Sequence, residues 1–288
     1  MATGNVIVEE QKIEVEGLPT RYLMAGEGPP LLLLHGVGDN ALDWQWAMPA
    51  LARTYQVYAL DLPGSGGSAK PAADDDYYSP AFFTRFVAAF LDALGIDRAA
   101  VVGNSLGGLT SLRLALSEPE RVTALGLVSS AGLGREVTYA LRSLALPGYG
   151  KLAVAWGKKR PGAAQRALGR SVLLFARPWR VPREWLKEQY RLARLPGFLE
   201  AQLATVRAQV GLRGQREVLV DRLEHLKVPT IVTWGRRDRV LPYSQGQEVV
   251  ARLPEGSLEL IPDCGHSPQV EQPERFASSL GDFLSGKI

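Results

Sequence analysis

The sequence is most constrained where one serine stands between two glycines, in VVGNSLGGLTSLRLAL (101–116). An unbroken apolar run leads to Gly103, and an apolar pattern with helical spacing begins at Leu106. Glycines two residues before and two residues after Ser105 indicate a backbone that turns sharply and passes close to its neighbours. The stretch therefore predicts a buried strand that turns through Ser105 directly into a helix.

The first half of the chain repeats this succession of strand and helix. Fully apolar runs occur in PPLLLLHG (29–36), YQVYALDLPG (55–64) and VTALGLVSSA (122–131), and a helical pattern occurs in SPAFFTRFVAAFLDALG (79–95). Apolar strands separated by helices are typical of a parallel sheet with right-handed crossovers. We predict an α/β fold with a mostly parallel, eight-stranded sheet and helices on both faces.

The alternation stops between residues 133 and 225, where the sequence has no convincing strand pattern. This segment holds 18 Lys and Arg against 7 Asp and Glu, whereas the remainder of the chain holds 15 against 23. The change of pattern and of charge indicates a separate module. We predict a helical cap domain at 133–225, inserted into a core domain formed by 1–132 and 226–288. Its basic charge has two interpretations, either solvated helix faces or an attraction for anionic substrates.

Cysteine and histidine are scarce, with one cysteine and three histidines in 288 residues. A single cysteine excludes an intrachain disulfide, and so few soft ligands argue against a dedicated metal site. The sequence shows neither a signal-peptide pattern nor an apolar run long enough to span a bilayer. We expect a cytoplasmic monomer or homodimer without a membrane span, a nucleic-acid partner, a cofactor or a metal.

Between a strand and a helix, Gly-x-Ser-x-Gly is the pattern of a nucleophile elbow, which raises a serine hydroxyl above the carboxyl edge of the sheet. Such a serine needs a histidine that takes its proton and an acid that orients the histidine. Asp238 follows the apolar run TIVTWG, and His266 follows the last strand pattern, so both are expected at the same edge. We predict that Ser105, Asp238 and His266 form a catalytic triad, since they also occur in the chain order of this architecture.

Attack on an acyl group creates an oxyanion, which needs hydrogen-bond donors. We predict that the backbone N–H groups of Leu106 and of Val37, in the loop after LLLLHG, form this oxyanion hole. Gly36, Asn104 and Trp179 are the predicted substrate contacts. For Asn104 an alternative is a side-chain amide that holds neighbouring backbone.

Structural interpretations exist for several of these polar residues. Asp238 is also compatible with a helix cap or with an ion pair to a neighbouring arginine, and Ser105 with an ordinary turn. We expect His35 to hydrogen-bond loop backbone and Asp61 to tie its own loop together. Cys264 is expected to be a small buried side chain.

Six motifs in this order resemble the α/β-hydrolase superfamily, in its cap-bearing branch. They are HGVGDN (35–40), Trp44 with Pro49, DLPGSGGS (61–68), GNSLGG (103–108), GRRDRV (235–240) and CGHS (264–267). The resemblance covers nearly the whole chain, although residues 133–225 match only in position and helical character. It implies that this segment is a helical cap over the site and that Val37 and Leu106 form the oxyanion hole.

The residues favour a serine hydrolase of the carboxylesterase type, which cleaves small-molecule esters of small to medium acyl chain through an acyl-enzyme. One alternative is a C–C bond hydrolase of ring-cleavage dienoic diketo-acids, which Asn104 and PDCGH (262–266) resemble. Ser267 after the histidine, and Gln189 where that group has a cap arginine, weaken this alternative without excluding it, since Arg191 and Arg194 are near. A second alternative is a small-molecule binder without catalysis. Haloalkane dehalogenases and epoxide hydrolases of this fold use an aspartate nucleophile, so Ser105 argues against both.

Overall fold

The computed structural model describes residues 6–72 and 77–287, and its centre is an eight-stranded sheet. In chain order, the strands are β1 (Glu9–Val15), β2 (Leu18–Ala25), β3 (Pro30–Leu34), β4 (Gln56–Leu60), β5 (Ala99–Asn104), β6 (Val122–Val128), β7 (Val210–Gly211), β8 (Gly214–Gln215), β9 (Thr230–Gly235) and β10 (Gly256–Ile261). The order of strands in the large sheet is β1-β2-β4-β3-β5-β6-β9-β10. A short two-stranded hairpin, β7 with β8, lies apart from this sheet.

The predicted mostly parallel sheet is confirmed. In the large sheet, the pairings of β1 with β2 and of β2 with β4 are antiparallel, and the other pairings are parallel. Leu34 at the end of β3 pairs with Gly103, and Asn104 at the end of β5 pairs with Val128. Because these strands end in register, the loops that follow them meet at one edge of the sheet.

Helices cover both faces of the sheet, which explains why its central strands are apolar throughout. Leu31 and Leu33 share one buried cluster with the helices at Met48–Leu51 and Pro273–Leu284, while Leu32 and Leu34 share another with the helices at Pro80–Ala93 and Leu106–Ser117. No helix of the described chain combines the length and apolar character that a bilayer crossing requires. The helices are α1 (Met48–Leu51), α2 (Pro80–Ala93), α3 (Leu106–Ser117), α4 (Tyr139–Leu144), α5 (Tyr149–Gly157), α6 (Arg160–Leu174), α7 (Arg183–Ala193), α8 (Phe198–Gln209), α9 (Ser244–Val250), α10 (Pro268–Glu271) and α11 (Pro273–Leu284).

Residues 133–225, which we call the insertion, connect β6 to β9 and contain helices α4 to α8. The expectation that this segment has no strand was wrong at the hairpin of β7 and β8. Strands of two residues are too short to produce a period-two pattern, so the sequence gives no sign of them. The division into core and cap domains stays a prediction, and its residues 1–5, 73–76 and 288 lie outside the described residues.

Candidate active site

Ser105 occupies the turn between β5 and α3 in a strained conformation, with φ at +53° and ψ at −111°. Such a conformation costs a residue other than glycine on the order of 1–3 kcal/mol. The neighbouring glycines allow very close packing, because a Cβ added to Gly103 would lie 2.1 Å from the backbone of Gly107. A Cβ on Gly107 would lie 2.2 Å from the Leu34 carbonyl oxygen. The turn therefore places the half-buried Ser105 side chain at the carboxyl edge of the sheet.

His266 and Asp238 form a buried pair at the same edge of the sheet. The imidazole Nδ1 lies 2.8 Å from Oδ2 of Asp238. The other carboxylate oxygen accepts the backbone N–H groups of Val240 and Leu241, at 2.8 and 3.0 Å. An acceptor at Nδ1 favours the tautomer with its proton there, which leaves Nε2 as the nitrogen able to take a proton.

Asn104 connects the histidine loop to the serine turn. Its Nδ2 donates to the backbone carbonyl of His266 at 3.0 Å and to that of Val128 at 3.1 Å. The residue is 1% exposed. The structure thus gives the Asn104 amide nitrogen the backbone-holding role, which is the alternative to the predicted substrate contact.

Ser105 Oγ and the His266 ring form no hydrogen bond with each other among the described residues. Catalytic hydrogen bonds are often long in a free enzyme and shorten only in the reacting complex. Ser105 lines a cavity of about 30 Å³, which we call the serine cavity. The structure therefore brings the nucleophile turn and the Asp–His pair to one edge without closing the last contact of the predicted triad.

The two predicted oxyanion donors both belong to residues that line the serine cavity, Val37 and Leu106. Neither backbone N–H group donates to a protein acceptor within residues 6–72 and 77–287. Leu106 opens α3, so its N–H has no acceptor within the helix. Gly36 lies against the serine, since an added Cβ would come within 3.2 Å of Ser105 Cβ. Trp179, by contrast, is 79% exposed, and the structure does not bring it to the serine cavity.

Side chains of the insertion hold the loop that carries Val37, a contact set that the sequence did not reveal. Gln202 Oε1 accepts the Gly38 N–H at 2.6 Å. Arg170 Nη2 lies 2.7 Å from both carboxylate oxygens of Asp39, and Gln189 Nε2 donates to the same carboxylate at 2.7 Å. The position of the predicted oxyanion donor at Val37 therefore depends on α6, α7 and α8.

Arg166 is a cation without a carboxylate partner within the described chain. Its Nη1 donates to Gln189 Oε1 at 3.1 Å, and its Nη2 donates to the Gly38 carbonyl at 3.3 Å. Burial, followed by repulsion from Arg170, lowers the pKa of Arg166 to about 9. A positive charge in this environment is balanced only in part by Asp39, so the site favours an additional anion.

Arg166 also lines a second and larger cavity of about 580 Å³, which we call the insertion cavity. Its lining is mostly apolar and includes Val37 and Gly38 from the core, together with α4, α5, α6 and α8. The insertion cavity and the serine cavity share the lining residues Val37, Leu141 and Val206. A group bound at Ser105 therefore lies beside space for an apolar chain.

Gln209 is a polar residue of the serine cavity that sequence reasoning missed. It is 8% exposed, and its Nε2 has no hydrogen-bond partner in the described chain. Buried amide donors are nearly always paired, so a free donor beside Ser105 is available to a bound molecule. A glutamine at the end of a helix carries no catalytic pattern, and no signal in the sequence distinguishes it.

Two buried side chains next to the site have structural roles. His35 donates from Nδ1 to the Gly36 carbonyl at 2.8 Å, and its Nε2 accepts the Leu62 N–H at 3.1 Å. Burial lowers the pKa of His35, which keeps the ring neutral and suited to this pair of contacts. Asp61 accepts the backbone N–H of Gly67 at 2.7 Å and so ties its own loop, as expected.

Glu271 connects the histidine loop to the insertion. Its two carboxylate oxygens accept the backbone N–H groups of Gly265, at 2.6 Å, and Ala176, at 2.7 Å. The residue after Gly265, His266, donates its own backbone N–H to the Leu174 carbonyl at 2.6 Å. Burial raises the pKa of the Glu271 carboxyl to about 7.

Comparison with known families agrees with this sheet. Residues 29–273 match the family described as alpha/beta hydrolase fold. The chain belongs to the α/β-hydrolase family, and it is a hydrolase of this fold.

Three similar proteins illustrate the range of the family. The chain is 36% identical to the dihydrolipoyllysine-residue acetyltransferase component of an acetoin cleaving system from Pseudomonas putida, over 95% of this chain and 69% of that protein. It is 32% identical to 2-hydroxymuconate semialdehyde hydrolase from Pseudomonas sp. strain CF600, over 96% of this chain and 93% of that protein. The solved structure of a membrane phospholipase A, described as a bacterial virulence factor, matches with a TM-score of 0.79 and 29% identity, over 97% of this chain and 86% of that protein.

Proposed function

We propose that the protein is a carboxylesterase-type serine hydrolase with Ser105 as nucleophile, His266 as base and Asp238 as the orienting acid. The buried His266–Asp238 contact of 2.8 Å carries this proposal. It supplies an oriented base at the sheet edge where Ser105 stands in its strained turn. The link from Asn104 to the His266 carbonyl supports the assignment, because it holds that base beside the serine turn.

Acylation begins when Ser105 Oγ attacks the ester carbonyl carbon and His266 Nε2 takes the hydroxyl proton. Asp238 stabilises the resulting imidazolium. The N–H groups of Val37 and Leu106 donate to the oxyanion, and one such donor is worth roughly 3–4 kcal/mol of barrier. When the intermediate collapses, the C–O bond to the alcohol breaks and His266 returns the proton to the leaving oxygen. The acyl group remains on Ser105.

Deacylation repeats these roles with water as the nucleophile. His266 takes a proton from the water, which attacks the acyl carbon, and the same two N–H groups hold the second oxyanion. The carboxylic acid leaves, and Ser105 regains its proton. The insertion acts as the cap in this scheme, and the insertion cavity takes the acyl chain of a small to medium ester.

Hydrolysis of p-nitrophenyl esters of increasing acyl length tests the proposed function. Ser105→Ala is expected to fold normally and to lower kcat by about 10⁴-fold or more. Steady product release after an initial burst distinguishes an enzyme from a binder, which would stop after one equivalent. Retained hydrolysis in the Ser105→Ala protein would remove Ser105 from the reaction.

A second candidate function is hydrolysis of a C–C bond in a ring-cleavage dienoic acid. Arg166 favours it, because this unpaired cation lines the insertion cavity and suits a substrate that carries a carboxylate. The similar protein from Pseudomonas sp. strain CF600 acts, by its name, on 2-hydroxymuconate semialdehyde. Rates for a dienoic acid and for a neutral ester, measured side by side, separate the two functions. Arg166→Gln is expected to slow only the acid if the second function is correct.

A further inference from the structure

Helix α5 has an unusual arrangement of apolar residues, in the sequence YGKLAVAWG. Its two buried residues are Gly150 and Gly157. A Cβ added to Gly150 would lie 2.6 Å from Leu203, and one added to Gly157 would lie 2.9 Å from Leu199, so the helix packs closely on α8 through its glycines. Its large apolar side chains are consequently left on the outside.

Three of these side chains lie along one face of α5, because they are three and four residues apart. Tyr149 is 51% exposed, Leu152 is 71% exposed and Trp156 is 47% exposed. All three also line the insertion cavity. We call these three residues the apolar rim. An exposed apolar surface that continues into a cavity marks a site of interaction rather than an ordinary surface.

Basic residues lie next to the apolar rim in the sequence. Lys151 lies within α5, and Lys158, Lys159 and Arg160 follow its last residue directly. Lys158 pairs with Glu200, while Lys151, Lys159 and Arg160 form no ion pair within the described residues. Aromatic and aliphatic side chains beside free lysines and arginines are the composition of helices that lie in the surface of an anionic bilayer.

A second copy of the chain is a poorer occupant of this surface than a lipid bilayer. The insertion has 18 basic and 7 acidic residues, so joining two apolar rims would bring two strongly positive surfaces together. An anionic lipid surface supplies the opposite charge and an apolar interior at the same time. Charge complementarity therefore selects the bilayer.

We propose that the apolar rim and the neighbouring free cations bind the surface of an anionic lipid membrane. Tyr149, Leu152 and Trp156 enter the boundary between headgroups and acyl chains, while Lys151, Lys159 and Arg160 contact the headgroup phosphates. The mouth of the insertion cavity then faces the lipid, so an apolar substrate passes from the membrane into the cavity. This binding goes beyond the proposed ester hydrolysis and does not depend on turnover.

Co-sedimentation of the full chain with lipid vesicles tests the binding. We expect the protein to bind vesicles of phosphatidylcholine with phosphatidylglycerol, to bind phosphatidylcholine alone more weakly, and to dissociate as salt is added. The double variant Leu152→Ser with Trp156→Ser is expected to lower partitioning at least about tenfold. Ile7→Ser is the matched control, since Ile7 is 73% exposed and lies on the core.

The charge contribution is measured with Lys159→Glu combined with Arg160→Glu, which is expected to lower binding to the anionic vesicles about tenfold. The control Lys12→Glu, at an exposed position of β1, should leave binding to the anionic vesicles unchanged. Far-ultraviolet circular dichroism and the thermal midpoint check that each variant is folded. Ser105→Ala should bind like the original chain, so a failure of the proposed hydrolysis and a failure of membrane binding are distinguishable.

Three results would overturn the membrane proposal. One is that the unaltered chain does not sediment with anionic vesicles. Another is that the Leu152 and Trp156 variant binds as well as the Ile7 control. The third is that the unaltered chain does not bind lipid but self-associates, and that the Leu152 and Trp156 variant no longer self-associates. That result would assign the surface to a second copy of the chain.

Discussion

Asn104 Nδ2 donates to the backbone carbonyl of His266 across 3.0 Å, and this bond ties the histidine loop to the residue directly before Ser105. The contact joins positions 162 residues apart in sequence. Because it uses no side-chain atom of the predicted triad, it fixes the spacing of that triad independently. In the proposed reaction, the alignment of the base with the nucleophile therefore depends on the Asn104 side chain, which takes no part in the proton transfers.

Asn104→Asp replaces the donating amide by a carboxyl group of the same shape. The His266 and Val128 carbonyls lose their partner, and an unpaired buried polar group costs about 1–3 kcal/mol. We expect kcat to fall about 10- to 100-fold with little change in KM, as steady-state kinetics on p-nitrophenyl esters will measure. A change in KM that varies with acyl size, at constant kcat, would instead make Asn104 a substrate contact.

Asp39 lies in the loop that carries Val37, and Asp43 lies in the short 3₁₀ helix that follows it, so the two aspartates offer a matched pair of substitutions. Burial and the neighbouring Asp39 raise the pKa of Asp43 well above its ordinary value. The neutral amide of Asp43→Asn is therefore expected to have little effect on stability or on kcat. Asp39→Asn leaves Arg170 without its counter-ion, and breaking a buried pair costs up to about 3–5 kcal/mol.

Urea denaturation and kcat measurements on both variants provide the test. We expect Asp39→Asn to lower both the free energy of unfolding and kcat, whereas Asp43→Asn stays close to the unaltered chain. Equal losses in the two variants would show that Asp43 is ionised or that Arg170 does not hold the loop.

Gln209→Leu removes a buried amide that has no partner for its nitrogen. The free energy of unfolding should change by no more than about 1 kcal/mol, because the lost group makes no hydrogen bond through Nε2. If that nitrogen donates to the bound ester, kcat/KM of Gln209→Leu should fall about 2- to 10-fold, which corresponds to the net free energy of one neutral hydrogen bond. Unchanged kcat/KM for every ester in the series would remove Gln209 from the site.

Glu271 gives a pH dependence of stability whose sign is fixed by its environment. Burial raises the pKa of its carboxyl in the folded chain to about 7, above the ordinary value of 4.5. Between these two pH values the folded state holds a proton that the unfolded state has lost, so this group's contribution to stability falls as pH rises.

Glu271→Gln removes that titration. The difference in unfolding free energy between the unaltered chain and Glu271→Gln should therefore decline from about pH 4.5 to about pH 7 and then level off. Urea denaturation across this range measures it. A difference that stays constant with pH would mean that Glu271 has an ordinary pKa in the folded chain.

The sequence predicted the positions that follow from strand order. Ser105, Asp238 and His266 each come shortly after the end of a strand, and parallel strands bring such positions to one edge. The same reasoning predicted that Val37 and Leu106 lie near this edge, since each is within a few residues of a strand end. These placements depend on local patterns and on the right-handed crossover, both of which a single sequence carries.

Residues of the insertion could not be placed in this way. Trp179 and Trp156 are both aromatic residues in helical sequence, yet of the two only Trp156 lines the insertion cavity. Arg166 and Gln209 reach the site because helices of the insertion pack on a core loop that is more than a hundred residues away in sequence. That packing is set by side-chain shape at long range, which composition and periodicity do not encode.

One helix, α6, contacts both the loop that carries Val37 and the loop that carries His266. Arg166 and Arg170 hold Gly38 and Asp39, while Leu174 at its last position accepts the His266 backbone N–H. Lifting the entire insertion would therefore release the Val37 loop and the His266 loop in the same movement. Movement confined to α4 and α5 would leave these three contacts in place, because neither helix supplies any of them.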